Sequence, residues 1–142
     1  MDFALSEELQ MLRDMAQDFA AEKIAPFADE WDEKHYFPYE EAHKPMAELG
    51  FFGTVIPEEY GGNDMGWLAA MILTEEIARA SSSLRVQVNM STLGCAYTIY
   101  KYGTEEAKKK YIEKLVNGEY LGAFGITEPN AGSDVMALKS TA

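Results

Sequence analysis

The residue types best suited to bind a ligand are concentrated near the end of the chain, in residues 120–134. The first part, residues 120–127, mixes aromatic and branched residues with glycines, which predicts a strand that another group approaches closely. The second part, residues 128–134, has the proline, asparagine, glycine and serine that are typical of turns. The segment therefore predicts a strand that another group approaches closely, followed by a turn.

Arg85 is a second candidate, because it is the only charged residue between Arg79 and Lys101. It opens the most apolar helical stretch of the chain, and a buried cation needs an anion. That anion could be the carboxylate of Glu75 or Glu76, which would make an internal ion pair. It could also be a free carboxylate on a substrate, held by the two-pronged guanidinium. The sequence leaves both readings open.

Composition and motifs argue against several other functions. Subtracting 24 acidic from 12 basic residues gives a net charge of -12, which argues against a nucleic-acid partner. Cys95 is the only cysteine, so no intrachain disulfide is expected and no metal site is predicted. The sequence contains neither a Gly-x-Gly-x-x-Gly fingerprint nor a phosphate-binding loop. His35 and His43 are interpreted as surface residues, and Glu128 as part of a turn.

Helices must position these candidates. Apolar periodicity, capping residues and breakers predict helices over residues 6–24, 39–49, 67–80, 84–102 and 104–116. Ser6 and Thr104 are expected to cap their helices, and Pro26 to break or kink the first. Short loops between successive helices predict an antiparallel bundle. Two sets of side chains are expected to pack inside it: Leu68, Met71 and Ile72 on one helix face, and Met11, Met15, Met71 and Met90 as core methionines.

The composition changes at Glu119, where helical patterning gives way to the predicted strand. The predicted fold class is an all-α N-terminal helical bundle domain over residues 1–118, followed by the start of a β domain over residues 119–142. Residues 135–142 could begin a second strand. A lone strand leaves backbone donors and acceptors unpaired, so the chain is expected to be part of something longer.

Targeting signals are not recognised in the sequence. Residues 1–6 lack a basic segment followed by an apolar run, and no stretch reaches about 18 uninterrupted apolar residues. No membrane span is expected, and the cytoplasm is the default location. The single cysteine favours a reducing compartment.

Three segments in order resemble the acyl-CoA dehydrogenases, and together the resemblance covers essentially the whole chain. They are residues 49–62, the apolar helix that ends at Gly103 with Thr104-Glu105-Glu106 after it, and residues 124–134, Phe-Gly-Ile-Thr-Glu-Pro-Asn-Ala-Gly-Ser-Asp. The resemblance implies a helical domain, a middle β domain and a C-terminal four-helix domain, with FAD and the acyl thioester between them. The expected fold is acyl-CoA dehydrogenase-like.

The resemblance also implies a reaction and a site. The reaction is FAD-dependent α,β-dehydrogenation of an acyl-CoA: a carboxylate removes the α proton while the β carbon transfers a hydride to the flavin. That catalytic base belongs to the C-terminal domain, beyond Ala142, so no catalytic residue is nominated here. By resemblance, Thr127 lies near the pyrimidine end of the flavin, and Ser133 near both FAD and the pantetheine arm. The expected FAD-binding residues are Phe124, Gly125, Ile126, Thr127, Gly132 and Ser133.

The expected substrate-binding residues are Arg85 and Ser133. Arg85 also narrows the choice of substrate. Within the family the chain resembles the glutaryl-CoA dehydrogenases, which carry an arginine eighteen residues before the glycine corresponding to Gly103, where it binds the distal carboxylate of the substrate. Val86 stands where that group has a serine, and Ala78 where an acidic residue is common. These departures leave open whether the product is decarboxylated, and whether another short-chain or cyclic acyl-CoA is the substrate.

The resemblance further implies a homotetramer that passes electrons to an electron-transfer flavoprotein. A non-catalytic helical assembly module derived from the same family is the alternative from a different functional class.

Overall fold

The computed structural model describes residues 4–141, and the structural statements below concern that part of the chain. Its α-helices are α1 (Glu7–Phe19), α2 (Ala28–Glu33), α3 (Lys44–Glu48), α4 (Gly66–Ala80), α5 (Ser82–Asn89), α6 (Tyr97–Tyr102) and α7 (Glu105–Val116). Three π-helical segments adjoin them: Ala20–Ile24 after α1, Tyr39–His43 before α3, and Met90–Ala96 between α5 and α6. Short 3-10 helices lie at Glu58–Tyr60 and Val135–Ala137.

The ends of the helices follow the capping residues. Ser6, Ser81 and Thr104 each accept a hydrogen bond from the backbone N–H three residues later, at 3.3, 3.3 and 3.2 Å. These bonds satisfy backbone donors that the first turn of a helix leaves free. Pro26 lies in the turn between the π-helical Ala20–Ile24 and α2, and so breaks the first helix as predicted. The predicted helical N-terminal domain is confirmed in the described residues up to the end of α7.

Two apolar clusters form the core. The first lies among α1, α3, α4 and α5 around two fully buried phenylalanines, Phe51 and Phe52. Phe19 of α1 meets Phe51 edge to face, with ring centroids 5.8 Å apart. The second joins α4 and α7 to the π-helical segment Met90–Ala96 and contains Val55, Ile56, Ala70, Ala96, Ile112, Leu115 and Val116. The long helical run of α5, Met90–Ala96 and α6 therefore contacts both halves of the bundle.

The buried face of α4 differs from the prediction. Ile72 is buried, but Leu68 is 54% exposed and Met71 is 45% exposed. The helix instead places its small alanines, Ala69 and Ala70, in the core. Small side chains let neighbouring helices approach closely, and a pattern that weighs hydrophobicity alone ranks Leu and Met above Ala. That part of the prediction was wrong.

The methionine prediction was also wrong for α1, where Met11 and Met15 are exposed and the buried residues are Leu12, Ala16 and Phe19. Met90 is only partly buried. Methionine tolerates many environments, so its presence on an amphipathic helix does not decide which face packs.

His43 is fully buried, so its prediction as a surface residue was wrong, whereas His35 is exposed as expected. The ring of His43 stacks on Tyr39, with centroids 5.2 Å apart, and its centroid lies 4.7 Å from that of Phe52. Neither ring nitrogen has a hydrogen-bond partner of good geometry among the described residues. Burial lowers the pKa of His43, and the nearby Gly118 backbone offsets only part of that effect. A neutral imidazole here packs as an aromatic ring.

No strand forms within residues 4–141, which differs from the strand predicted over residues 120–127. That stretch is irregular, and an isolated bridge joins Glu128 to Ala131. The reason is physical: a strand needs a neighbour to pair its N–H and C=O groups, and the described chain offers none. The second predicted strand begins as the 3-10 helix Val135–Ala137, and Ala142 lies outside the described residues.

None of the described helices combines the length and the apolar character that a bilayer crossing requires. Residues 1–3, on which part of the targeting prediction rests, lie outside the described range.

Candidate functional site

The segment after α7 is held against the π-helical Met90–Ala96. The backbone N–H of Gly122 donates to the hydroxyl oxygen of Ser91, at 3.3 Å, and this contact is buried. One residue later the thiol of Cys95 lies 3.7 Å from the carbonyl oxygen of Ala123. A Cβ on Gly122 would come within 2.8 Å of the carbonyl oxygen of Met90, so only glycine allows this approach. The contact fixes where the loop begins.

Phe124, the first predicted cofactor-binding residue, lies against Gly94 of the same π-helical segment. A Cβ on Gly94 would be 2.8 Å from Cε2 of the Phe124 ring. Phe124 as a whole is nevertheless 55% exposed. One edge of its ring therefore lies against the helical bundle, while much of the residue remains open to a neighbouring group.

The turn that follows is organised by Glu128. Its backbone exchanges hydrogen bonds with Ala131, at 3.0 and 3.1 Å. Its carboxylate accepts from the backbone N–H groups of Lys139 and Ser140, at 3.0 and 2.9 Å. Hydrogen bonding from Ser140 and then from the Lys139 backbone lowers the pKa of Glu128, which keeps it ionised. Glu128 thus ties the ends of the loop together and is a poor candidate for a general base.

The six residues predicted to contact a flavin lie on one exposed loop: Phe124, Gly125, Ile126, Thr127, Gly132 and Ser133. A Cβ at Gly125 or Gly132 would meet nothing within 4 Å, and neither glycine has a positive φ. Packing and backbone geometry of the described chain therefore do not require glycine at either position. A flat ring that approaches the loop from outside would require glycine at both positions. The exposed hydroxyls of Thr127 and Ser133 could form hydrogen bonds with such a ring. The residues present fit a flavin.

Arg85 lies in the first turns of α5 and is partly buried. The internal ion pair suggested for it is not formed. Arg79 pairs with both carboxylates, reaching Glu75 at 3.2 Å and Glu76 at 3.4 Å. Among residues 4–141, no carboxylate lies within ion-pair distance of Arg85. Its guanidinium is thus left for an anion from elsewhere.

Ser91 and Gly94 are contacts of the loop that the sequence reasoning missed. A signal was present, because serine and glycine are both unfavourable inside a helix, and here they interrupt the most apolar helical stretch of the chain. Their role depends on tertiary contacts with Gly122 and Phe124, which no local pattern specifies. The part of the chain that the structure describes contains no group of three or more metal-ligating side chains.

Comparison with known proteins identifies the family of the chain. The sequence profile for the acyl-CoA dehydrogenase N-terminal domain matches residues 6–119, and the chain belongs to the acyl-CoA dehydrogenase family. A glutaryl-CoA dehydrogenase from Desulfococcus multivorans is 69% identical over the whole chain, which spans 37% of that protein's length.

Solved structures give the same result. A glutaryl-CoA dehydrogenase in complex with glutaryl-CoA superimposes with a TM-score of 0.94 at 68% identity, over 97% of this chain and 35% of that one. A Bacillus anthracis acyl-CoA dehydrogenase complexed with FAD matches with a TM-score of 0.87 at 30% identity, over 95% of this chain and 23% of that one. The chain thus spans between 23% and 37% of the length of these relatives.

Proposed function

We propose that the protein containing this chain is an FAD-dependent acyl-CoA dehydrogenase that oxidises glutaryl-CoA. The observation that carries the proposal is Arg85, a partly buried cation without an ion-pair partner among residues 4–141, in a chain 69% identical to a glutaryl-CoA dehydrogenase. A planar guanidinium matches a carboxylate with two parallel hydrogen bonds. The free carboxylate of a glutaryl group supplies that anion, whereas a butyryl group has none.

Residues of the loop have separate tasks in this proposal. Bound FAD would supply the acceptor for the hydride. Gly125 and Gly132 leave room for the ring, and Phe124 offers it an aromatic face. The hydroxyls of Thr127 and Ser133 hydrogen-bond it, and Ser133 also contacts the pantetheine arm. Such fixed donors act without reorganising during the reaction.

Glu128, the carboxylate in the middle of the candidate flavin loop, is poorly suited to remove the α proton. It already accepts hydrogen bonds from two backbone N–H groups, and its lowered pKa makes it a weaker proton acceptor. We place the base in the C-terminal domain that the family resemblance implies. The domain division proposed for this chain is a helical domain over residues 1–118 and the beginning of a β domain over residues 119–142.

Val86 and Ala78 bear on the fate of the product. Both positions carry hydrophobic side chains where the resemblance leads one to expect a serine and an acidic residue. The substrate carboxylate would have fewer polar neighbours around Arg85, which makes oxidation without decarboxylation an open outcome of the reaction. A homotetramer, an electron-transfer flavoprotein as electron acceptor and a cytoplasmic location complete the proposal.

Anaerobic mixing of the FAD-loaded, full-length protein with glutaryl-CoA tests this function. Rapid loss of the oxidised flavin absorbance is expected with glutaryl-CoA, and a much slower loss with butyryl-CoA. Mass spectrometry of the product separates glutaconyl-CoA from crotonyl-CoA and so detects decarboxylation. Equal bleaching rates with the two substrates would contradict glutaryl-CoA as the preferred substrate.

A further inference from the structure

The π-helical segment Met90–Ala96 is the support on which the candidate flavin loop rests. A π-helix has wider turns than an α-helix and is often found at functional sites. Here the segment presents Ser91 and Gly94 to the loop that follows α7. The same helical run carries Arg85 two turns earlier, so one rigid element contacts both candidate binding regions.

Ser91 is the polar centre of this contact. Its hydroxyl oxygen accepts a hydrogen bond from the Gln87 side-chain amide, at 2.8 Å, and another from the backbone N–H of Gly122, at 3.3 Å. Ser91 and Gly122 are both buried, so without the hydroxyl the Gly122 N–H would lose its acceptor away from water. The bond holds the backbone two residues before the Phe124 ring.

Gly94 provides the second half of the support. A Cβ there would lie 2.8 and 3.3 Å from two atoms of the Phe124 ring, which is inside the normal contact distance. The absence of a side chain is what lets the ring lie on the helix. Ser91 therefore fixes the backbone of the loop, and Gly94 allows the Phe124 ring to approach the helix closely.

We propose that Ser91 is a positioning residue of the flavin site, which acts through Gly122 and together with Gly94 sets the place of Phe124. This inference rests on the proposed binding of FAD. A loop already held in place loses less conformational freedom when a ligand binds, so the contact increases affinity without touching the ligand. Neither residue contacts the substrate or the reacting atoms in this scheme.

The test uses the full-length protein with Ser91→Ala, and Thr92→Val as its matched control. Thr92 is the next residue of the same segment, and its buried hydroxyl has no hydrogen-bond partner among the described residues. Apoprotein is titrated with FAD, and flavin fluorescence and the visible spectrum are recorded beside the melting temperature of the apoprotein. Ser91→Ala should raise the Kd for FAD about fivefold, as expected for one lost hydrogen bond. Thr92→Val should bind FAD like the wild type.

A second variant, Gly94→Ala, separates positioning from stability. Alanine favours the helix over glycine, so the melting temperature should stay the same or rise, while the displaced Phe124 ring should weaken FAD binding severalfold. This variant also decides the question if Ser91→Ala does not fold. A lower melting temperature in Ser91→Ala with unchanged FAD affinity and spectrum would show a merely structural role and overturn the inference. Wild-type FAD affinity in Gly94→Ala would overturn it as well.

Failure of the inference is distinguishable from failure of the proposed function. Wild-type protein that binds FAD, beside variants that bind it equally well, contradicts the positioning role alone. Wild-type protein that binds no FAD contradicts the proposed function, and the positioning role with it.

Discussion

Replacing Arg85 with alanine should remove activity toward a dicarboxylic thioester and spare activity toward a monocarboxylic one. The reasoning comes from the distribution of charge on α4 and α5. Arg79 is the cation within ion-pair distance of Glu75 and Glu76, so removing Arg85 breaks no ion pair of the described chain. The fold should therefore tolerate the change, and any loss of activity should depend on the substrate.

The size of the effect follows from the partial burial of Arg85. Truncating one partner of a buried, hydrogen-bonded charge pair costs about 2–5 kcal/mol. A half-buried guanidinium belongs near the lower end, so we expect about 2–3 kcal/mol for glutaryl-CoA. That corresponds to a loss of about 30- to 150-fold in kcat/KM. For butyryl-CoA the change should stay within about twofold.

The assay compares kcat/KM for the two substrates in the wild type, Arg85→Ala and Arg85→Lys. Lysine keeps the charge but lacks the planar fork, so it should restore glutaryl-CoA oxidation only in part. Arg13→Ala is a matched control, because Arg13 lies exposed on α1. It should leave both substrates unaffected. Equal losses of glutaryl-CoA and butyryl-CoA oxidation in Arg85→Ala would refute the role of Arg85 as a carboxylate clamp.

Three further predictions concern other parts of the structure. Burial lowers the pKa of His43, so the unfolded chain binds more protons than the folded protein at low pH. The free energy of unfolding should therefore fall as the pH drops below about 6.5, by up to about 1.4 kcal/mol per pH unit. Urea unfolding at several pH values should show a shallower dependence in His43→Leu. Gly118 has φ +77°, and a Cβ there would lie 2.7 Å from Cβ of Ala47. Gly118→Ala should therefore destabilise the fold by about 2–4 kcal/mol. Gly66→Ala should cost about 1 kcal/mol, because φ is +86° there but the space is open. Equal melting temperatures of these two variants would contradict the packing at Gly118. Gly125→Ala should leave the melting temperature of the apoprotein unchanged, because a Cβ there would meet nothing within 4 Å. It should weaken FAD binding at least tenfold, because the added methyl group would occupy space that the flavin ring needs. Normal FAD affinity would show that the ring lies elsewhere.

The helices were predictable because their signals are local. Ser6 and Thr104 cap the helices that the sequence assigned to them, and Pro26 breaks the chain where its missing N–H requires a break. Each signal acts within a few residues, so it can be read without knowledge of the neighbours. The ends of α6 at Gly103 and of α7 at Asn117 follow the same rule.

Buried faces were less predictable, because they depend on which helix lies opposite. Leu68 and Met71 are exposed while Ala69 and Ala70 are buried, an order that hydrophobicity alone reverses. His43 is buried among three aromatic rings: Phe37 and Tyr39 shortly precede it in the chain, and Phe52 comes from the segment after α3. Tertiary packing decided both outcomes, not composition.

The loop of the candidate site was selected by its resemblance to the acyl-CoA dehydrogenases, and its support was not predicted. Residues 124–133 lie together on one exposed loop, and their contact with a flavin stays a prediction. The strand expected to precede them is absent in the described chain, since pairing requires a partner strand. The contacts of Ser91 and Gly94 with that loop join residues about thirty positions apart. No local pattern specifies such a contact.

Purification of the full-length protein tests the central claim most directly. If the loop of residues 124–133 is one wall of a flavin site, the protein should carry a visible flavin absorption band, or gain one on adding FAD to apoprotein, with about one FAD per subunit. Released cofactor should be identified as FAD by chromatography. A protein that shows no flavin band as purified, and none after incubation with excess FAD, would contradict the account.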